Sequence, residues 1–476
     1  METATETERK YDVPETFELP DLAGVGAVTA VDGAETHDLD ATYFDTEDLR
    51  LMRNRRTLRR RSGGNDAGWH LKTPGDGDGR TEHRLPASDS DEVPDELTGL
   101  VRAIVRRRPL GPVARLRTHR VETPLRDADG RTLALVAQDR VLAESAGAES
   151  VWQEVEVELV DGGPELLDEV ERRLFAAGAR PARGPSKVAR ALAGRLAAAS
   201  GSGKTKTKTK VNPVLRYARE QRDAIVGHDP AARRGEPRAV HRMRVATRRL
   251  RSTLKTYKRS FPESDLRDEL RWLAGVLGAV RDPQVLEDAL LAQVAQAGPE
   301  FAPAARRVRA HLEHRVERGR AELAEALDSD RYLTLLDRID ELADTPELTV
   351  PDPVTRARKV LAKADRKLDE ALESRVEEEI HDSRKGFKQA RYAVELVAPD
   401  LGKPAKRLIK RLTELQDGLG EYQDSNIARG VLRELGSDSF HLGVLYGRQE
   451  QVGEEALARV PALVRAARRR RVRRVF

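Results

Sequence analysis

Over its first third the chain alternates apolar and polar residues with a period of two, the pattern of half-buried strands. Strands are predicted over 38–44, ending at Asp45-Thr46, and over 55–61, closed by Ser62-Gly63-Gly64. Further strands are predicted over 68–73, 80–85, 112–123, 133–142 and 151–160. Pro74 to Gly79 is a hairpin turn and Asp129-Gly130 another. The opening residues make one more strand, in which Glu6, Glu8 and Lys10 alternate with Thr7 and Arg9. Helices are predicted over 91–108, from Gly163-Pro164 to about Ala177, and from a Ser186 cap to about Ala199. Eight strands with helical additions suggest a closed antiparallel barrel.

Beyond residue 212 the period changes to three and four, and the rest reads as helices punctuated at Pro230, Pro262, Pro283, Pro303, Pro351, Pro399 and Pro404. Between the two patterns lies Ser-Gly-Ser-Gly and then alternating Lys and Thr, a flexible basic linker over 200–212. The fold class is therefore α+β, a β domain over 1–199 and a helical domain over 213–464. The helical part repeats itself. His241, Arg244, Arg248 and Arg251 recur 140 positions on as His381, Arg384, Lys388 and Arg391, and Leu277-Gly278 to Asp282 recurs 142 positions on as Leu419-Gly420 to Asp424. A repeat of this length reads as two similar helical bundles, about 213–345 and 353–464, not as a short solenoid unit.

Composition changes this picture at three points. The chain has 476 residues, too many for one core. It lacks cysteine, which removes disulfides and thiolate metal sites and suits a reducing compartment. Charged residues make up 35% but the net charge is +5, so basic character must act locally. No signal peptide and no membrane span are evident, which predicts a cytoplasmic protein.

Two patterns carry chemistry. In a strand, Glu6, Glu8 and Lys10 share one face, as do Glu154, Glu156 and Glu158 far downstream. Acidic faces repel unless cations lie between them, and arginine-rich strands lie between them in sequence. A strand layer with acid and base facing inward is a site for a divalent metal and a polyanion. In the helical part, spacings of 3, 7 and 10 fall within about 80° of arc, so each copy sets a histidine and three cations on one stripe. If the copies face each other, the stripes line a groove suited to phosphates. No nucleophile accompanies the stripe, so it reads as binding. With 4% aromatic residues, few rings are placed to stack bases, which argues against nucleic acid. A basic tail at 465–476, with Arg468 to Arg471, Arg473 and Arg474, is expected to be a solvated or frayed helix end, and His441 to be structural.

Glu6-x-Glu8-x-Lys10, Tyr43-Phe44-Asp45-Thr46, Leu58-Arg59-Arg60-Arg61, Glu156-Val157-Glu158-Leu159 and Ser186-Lys187 resemble, in that order, the CYTH family, or triphosphate tunnel metalloenzymes. The part with the duplicated His-x-x-Arg helix resembles the CHAD domain. The first resemblance implies a tunnel of eight antiparallel strands that hydrolyses triphosphates with Mg²⁺ or Mn²⁺. It implies catalytic roles for Glu6, Glu8, Lys10, Glu156 and Glu158, with metal held by Glu6, Glu8, Glu156 and Glu158 and, nearer the substrate, Glu82. Arg59, Arg61, Lys72, Arg84 and Arg120 would hold phosphate oxygens, Lys187 would close the tunnel, and Asp139 is a lesser candidate. The role of Glu154 stays open. The second resemblance implies inorganic polyphosphate binding by His241, Arg244, Arg248, Arg251, His381, Arg384, Lys388 and Arg391, with Arg249, Lys255 and Lys385 near in sequence.

The function expected is hydrolysis of inorganic triphosphate or polyphosphate ends, with polyphosphate capture by the helical part and polyphosphate granules as a candidate location. The alternatives are a non-catalytic polyphosphate-binding or granule-targeting protein, a nucleotide cyclase, and a nucleic-acid binder. Oligomeric state is open.

Overall fold

The computed structural model describes residues 2–31, 33–74, 80–88, 90–199, 212–261, 265–345, 348–436 and 439–476, without the side chains of 2–6, 80 and 199. The Glu6 side chain, the turn residues 75–79 and linker residues 200–211 lie outside that description. The chain divides into two compact units, Met1–Thr207 and Lys208–Phe476. Among the described residues no helix is long and apolar enough to cross a membrane.

The N-terminal unit is an antiparallel sheet with short helices, and with the helical second unit it makes the chain α+β. Its strands are β1 (Glu2–Glu6), β2 (Glu8–Val13), β3 (Ala30–Val31), β4 (Glu35–Asp45), β5 (Thr57–Ser62), β6 (Gly68–Pro74), β7 (Arg80–Pro86), β8 (Gly111–Arg126), β9 (Thr132–Ser145), β10 (Ala148–Leu159) and β11 (Arg180–Pro181). Its helices are α1 (Arg50–Arg53), α2 (Asp95–Val105), α3 (Pro164–Ala176), α4 (Lys187–Ala191) and α5 (Ala193–Ala199). The hydrogen-bonded order is β1-β7-β6-β5-β4-β8-β9-β10-β2-β11, with β3 on β8. Eight expected strands become eleven because β3 and β11 are short additions and the first strand divides at Thr7. That single residue joins β1, at one end of the sheet path, to β2, near the other. The helix expected from Ser186 to Ala199 is likewise two, parted at Leu192.

Directly opposed residues on neighbouring strands share a face. Glu8 and Lys10 oppose Glu158 and Glu156, Glu154 opposes Asp139, Asp139 opposes Arg120, and Arg120 opposes His37. Two and three alternations further along β4, Ala41 and Tyr43 oppose Arg61 and Arg59. Arg59 opposes His70, and His70 and Lys72 oppose Arg84 and Glu82. One face of the whole sheet is thus charged. The other face carries Tyr11, Val136, Val155 and Val157, which pack with Leu167, Val170 and Leu174 of α3 in an apolar cluster. Helix burial on the outer face is what leaves the inner face free to be polar.

The Tyr43 to Thr46 segment has a structural half. Asp45 is buried and accepts hydrogen bonds from the backbone N–H of Thr46, Leu51 and Met52 at 2.7, 2.8 and 3.0 Å. It thereby satisfies donors at the start of α1, which no N-cap side chain serves.

The C-terminal unit is helical: α6 (Pro213–Arg233), α7 (Pro237–Thr256), α8 (Asp265–Ala297), α9 (Ala302–Asp328), α10 (Asp330–Asp344), α11 (Pro353–Ser374), α12 (Glu377–Leu401), α13 (Lys403–Glu434), α14 (Phe440–Arg468) and α15 (Arg470–Arg473). Pro230, Pro283 and Pro399 do not end helices as expected but lie inside α6, α8 and α12. Pro283 is itself buried, so packing offsets the missing backbone hydrogen bond there. Leu361, Leu368, Phe387, Leu408, Leu412, Leu419 and Val460 join α11, α12, α13 and α14 in one core.

The C-terminal arginines are not a frayed end. Arg468 pairs with Asp365 at 3.1 Å and Asp369 at 2.9 Å, and Arg473 pairs with Asp365 at 3.1 Å. Val472 and Val475 are buried beside them. The acidic partners lie about a hundred residues upstream, which is why the tail reads as free from its own sequence.

Candidate functional site

The polar face of the sheet holds two linked networks. In the first, Ser186 caps α4 by accepting from the Ala189 N–H at 3.2 Å, which fixes the first residue of the helix, Lys187. The Lys187 Nζ then reaches Glu156 at 2.6 Å, Glu154 at 2.7 Å and Asp139 at 2.8 Å. Lys10 bridges Glu156 and Glu8, the latter at 2.8 Å. Arg120 forks onto both oxygens of Asp139 at 2.8 Å and donates to Glu156 at 2.7 Å. Burial opposes charge on Glu156, but Lys10, Lys187 and Arg120 hold its pKa well below the ordinary range. Burial likewise opposes the Lys187 ammonium, and Asp139, Glu156 and Glu154 overcome it and raise its pKa. Asp139, Glu154 and Glu156 offer oxygens within 4.8 Å of one another, a buried acidic set of the kind that holds a metal. Here the Lys187 ammonium stands among them.

The second network is basic. Glu82 is fully buried and contacts Arg84, the His70 Nδ1 at 3.0 Å, Lys72 at 3.8 Å and Arg59 at 3.9 Å. Arg59 donates to the Tyr43 hydroxyl at 3.4 Å, and Arg61 pairs with Asp66. Burial, with Arg59 and Arg120 close by, pulls the Arg61 guanidinium down to about 9. Both networks line one cavity of about 110 Å³, to which Glu8, Lys10, Glu156, Glu158, Arg59, Arg61, Lys72, Arg84, Arg120 and Lys187 contribute.

The sequence-predicted residues thus converge, with two differences. Glu6 is placed by its backbone alone, opposite Arg80 on β7. Glu82, expected near the metal, is not among the cavity-lining residues and instead anchors the basic side chains from beneath. Tyr43, His70 and Asp66 were assigned no role from sequence. Strand alternation with Lys72 was the available signal for His70. Glu154, whose role stayed open, accepts from the Trp152 indole at 2.6 Å and so holds its carboxylate toward Lys187.

In the C-terminal unit α7 packs on α12, where Gln389 donates to Thr256 at 3.0 Å and Arg249 pairs with Glu395 at 2.9 Å. Arg244, Arg248, Arg384 and Lys388 form one basic cluster: the Arg244 guanidinium is pulled down by burial and by Arg248 and Arg384, against the opposing pull of Asp282. Burial and then Arg384, Arg248 and Arg244 pull Lys388 down to about 7. Among the described residues, the Nε atoms of Arg244, Arg248 and Arg384 are buried without a hydrogen-bond partner. The second repeated motif now has a meaning. A Cβ at Gly278 would stand 3.2 Å from the Arg244 Nε, and one at Gly420 would stand 3.2 Å from an Arg384 terminal nitrogen. Each glycine lets a stripe arginine lie flat against the next helix. Asp282 pairs with Arg244 at 2.9 Å, and Asp424 sits in the field of Arg384 and Lys388. His241 is exposed, Arg251 is half-buried, and His381 is held below its ordinary pKa by burial and by Lys385. Arg391 reaches Thr413 at 3.4 Å and Glu395, which shares its helix face, at 3.7 Å, with its guanidinium 5.1 Å from the Tyr392 ring centroid.

The N-terminal unit thus sets a charged sheet face around a small cavity, and the C-terminal unit carries a buried basic cluster from α7 and α12. The chain belongs to the CYTH–CHAD family: residues 4–192 match the CYTH domain and residues 216–433 the CHAD domain. The chain is 38% identical to uncharacterized protein MT2285 of Mycobacterium tuberculosis (strain CDC 1551 / Oshkosh), over 97% of this chain and 96% of that protein. Among solved structures it is similar to PptA from Streptomyces chartreusis, at 19% identity and TM-score 0.45, over 53% of this chain and 97% of that one. It is also similar to the CHAD domain from the plant Ricinus communis, at 25% identity and TM-score 0.41, over 53% of this chain and 88% of that one.

Proposed function

We propose that the N-terminal unit is a metal-dependent triphosphatase acting on inorganic triphosphate or polyphosphate ends, and that the C-terminal unit binds inorganic polyphosphate. The observation that carries the first half is the largely charged face of the sheet, interrupted by Leu39, Ala41 and Leu116, with Glu8, Glu156 and Glu158 lining the same cavity as Arg59, Arg61, Lys72, Arg84 and Arg120. In this reading the junction at Thr7 closes the sheet into a tunnel of eight principal strands.

The donor set fits a hard divalent cation. Glu8 and Glu158 oppose each other on adjacent strands, Glu156 is one alternation away, and all three supply carboxylate oxygens at the cavity wall. Mg²⁺ or Mn²⁺ held there, with Glu6, would offset phosphate charge and provide an activated water. Asp139, Glu154 and Glu156 also hold the Lys187 ammonium, so Glu156 stands between that cation and the metal site. Arg59, Arg61, Lys72 and Arg84 orient the chain end and stabilise charge that develops on the leaving phosphate. Burial of these cations strengthens that interaction. Glu82 holds them in place from below.

Chelation tests the metal. Phosphate release from triphosphate in Mg²⁺ or Mn²⁺ is expected to fall to background in excess EDTA and to return when the ion is restored. Release that persists in EDTA contradicts the reading. Metal-loaded protein that holds triphosphate without turnover would favour the purely binding alternative, which the internal cations already on every acid of the first network would suit. Cyclic product from ATP would instead mark a cyclase.

The unpartnered Nε atoms of Arg244, Arg248 and Arg384 support polyphosphate binding in the second unit. A Gly278→Ala/Gly420→Ala protein should bind polyphosphate about tenfold more weakly, since two guanidiniums are displaced from the cluster. Its melting temperature should not fall, because alanine in a helix is favoured over glycine by about 0.5–1 kcal/mol. Unchanged affinity in a titration would remove these arginines from the site.

A further inference from the structure

The repeat that relates the two stripes is broken at three positions near one of their ends. Counting 140 positions on, Pro213-Val214 at the start of α6 corresponds to Pro353-Val354 at the start of α11, and Arg251 corresponds to Arg391. On the same count Lys255 corresponds to Glu395, Lys363 to Asp223 and Lys367 to Gly227.

The physical surroundings differ accordingly. Glu395 is engaged by Arg249 at 2.9 Å and by the Tyr217 hydroxyl at 3.1 Å, and Arg391 leans onto it. The stripe of α12 therefore ends at an acid that engages both Arg391 and Arg249. On α7 the cations continue: Arg244, Arg248, Arg251 and Lys255 follow at helical spacing, about 16 Å of rise from first to last. The start of α11 is pinned beside the end of α7, where Arg356 donates to the Thr256 carbonyl oxygen at 2.9 Å. Close packing of Ala364 on Gly386 fixes the rotation of α11, with Lys363 and Lys367 left exposed. Lys255 lies in the field of Arg251, Lys363 and Lys367, with Asp382 as the opposing acid. Asp382 is already paired with Lys385 at 3.0 Å.

We propose that Lys255, Lys363 and Lys367 extend the binding site at one end only, as a track for the continuing part of a long linear polyphosphate. The inference rests on the polyphosphate-binding reading of this unit and adds chain-length preference and direction to it. A triphosphate fills the central cluster and does not reach α11, whereas a long chain lies over both. The asymmetry means that a chain leaves over α7 and α11 and not over α12 and α6.

The test measures the affinity of the full chain carrying Glu8→Gln/Glu158→Gln, in excess EDTA so that the N-terminal site neither holds metal nor turns the ligand over, for triphosphate and for long-chain polyphosphate at several salt concentrations. For Lys363→Ala/Lys367→Ala, long-chain affinity is expected to fall about tenfold at low salt, with a shallower salt dependence. Triphosphate affinity should stay within about twofold, since neither lysine is in the central cluster. Lys406→Ala/Lys410→Ala, the same charge change at exposed positions of α13, should leave both affinities nearly unchanged. The track is overturned if long chains bind the α11 variant as tightly as wild type, if triphosphate loses equally, or if the α13 variant loses as much. Wild type that binds neither ligand overturns the binding reading itself, a distinguishable result.

Discussion

In Mg²⁺, a Glu8→Gln/Glu158→Gln protein is expected to release phosphate from triphosphate about 10³-fold more slowly than wild type, an effect of roughly 4 kcal/mol on the barrier. The amides keep the shape of both side chains, so the cavity stays filled as before. What is lost is hard anionic oxygen for a divalent ion. Folding should lose little. Burial and Glu156 oppose the Glu8 charge, but Lys10 and Lys72 outweigh them and hold its pKa below the ordinary range, so the amide gives up a modest favourable contact while Lys10 keeps Glu156 as its partner. The melting temperature in the absence of metal should therefore fall only slightly, and the stabilisation that wild type gains on adding Mg²⁺ should disappear. A purely structural role for these glutamates predicts instead a large fall in melting temperature, with activity lost in proportion. Wild-type turnover by the double variant would sink the metal assignment.

That pair was legible in the sequence because strand geometry is local. A period of two puts Glu8 with Lys10 and Glu156 with Glu158 on common faces before any pairing is known, and β2 and β10 then oppose them. The partner of a buried acid is not local. Lys187 lies 31 residues beyond Glu156 on a different element, so neither Glu154 nor Asp139 could be assigned from its own neighbourhood. Glu82 shares the polar face but is ringed by bases from three strands, and alternation alone cannot separate a cavity wall from an anchor beneath it. The helical repeat shows the same limit. Register put Arg244 and Arg384 on stripes, but what Gly278 and Gly420 admit depends on which helix lies against which. Arg391 is the opposite case: it was expected on the stripe, and Glu395, four residues on, engages it on the same helix face. The prolines inside α6, α8 and α12 are a further case in which tertiary packing outweighs local propensity.

Polyphosphate affinity of the C-terminal unit is expected to fall as pH rises from 7.5 to 9.5, by up to about tenfold per pH unit. The cause is Lys388. In the free chain, burial and the charges of Arg384, Arg248 and Arg244 pull its ammonium down to about 7, against the opposing pull of Asp424. At pH 8 it is therefore mostly neutral. A polyanion over the cluster restores the preference for the charged form, so its pKa in the complex lies above that in the free chain. Binding then takes up a proton. The contribution is complete below about 7 and is lost as pH rises through the pKa of the complex. The neighbouring groups titrate elsewhere. His241 and His381 are held below their ordinary pKa, by burial first and then by nearby cations. Asp424 is raised from its ordinary pKa by burial, against the pull of Arg384 and Lys388. Lys388→Arg keeps the charge at every pH used, so its affinity should be flat from 7.5 to 9.5. The unliganded chain should show the opposite sign. Its folded state holds the Lys388 proton less tightly than the unfolded state, with pKa near 10.5, so this residue's contribution to stability rises with pH between about 7 and 10.5. Calorimetric titration in buffers of different ionisation enthalpy measures the proton uptake directly. A wild-type profile as flat as that of Lys388→Arg, with no proton taken up at pH 8, would mean that no anion binds against Lys388.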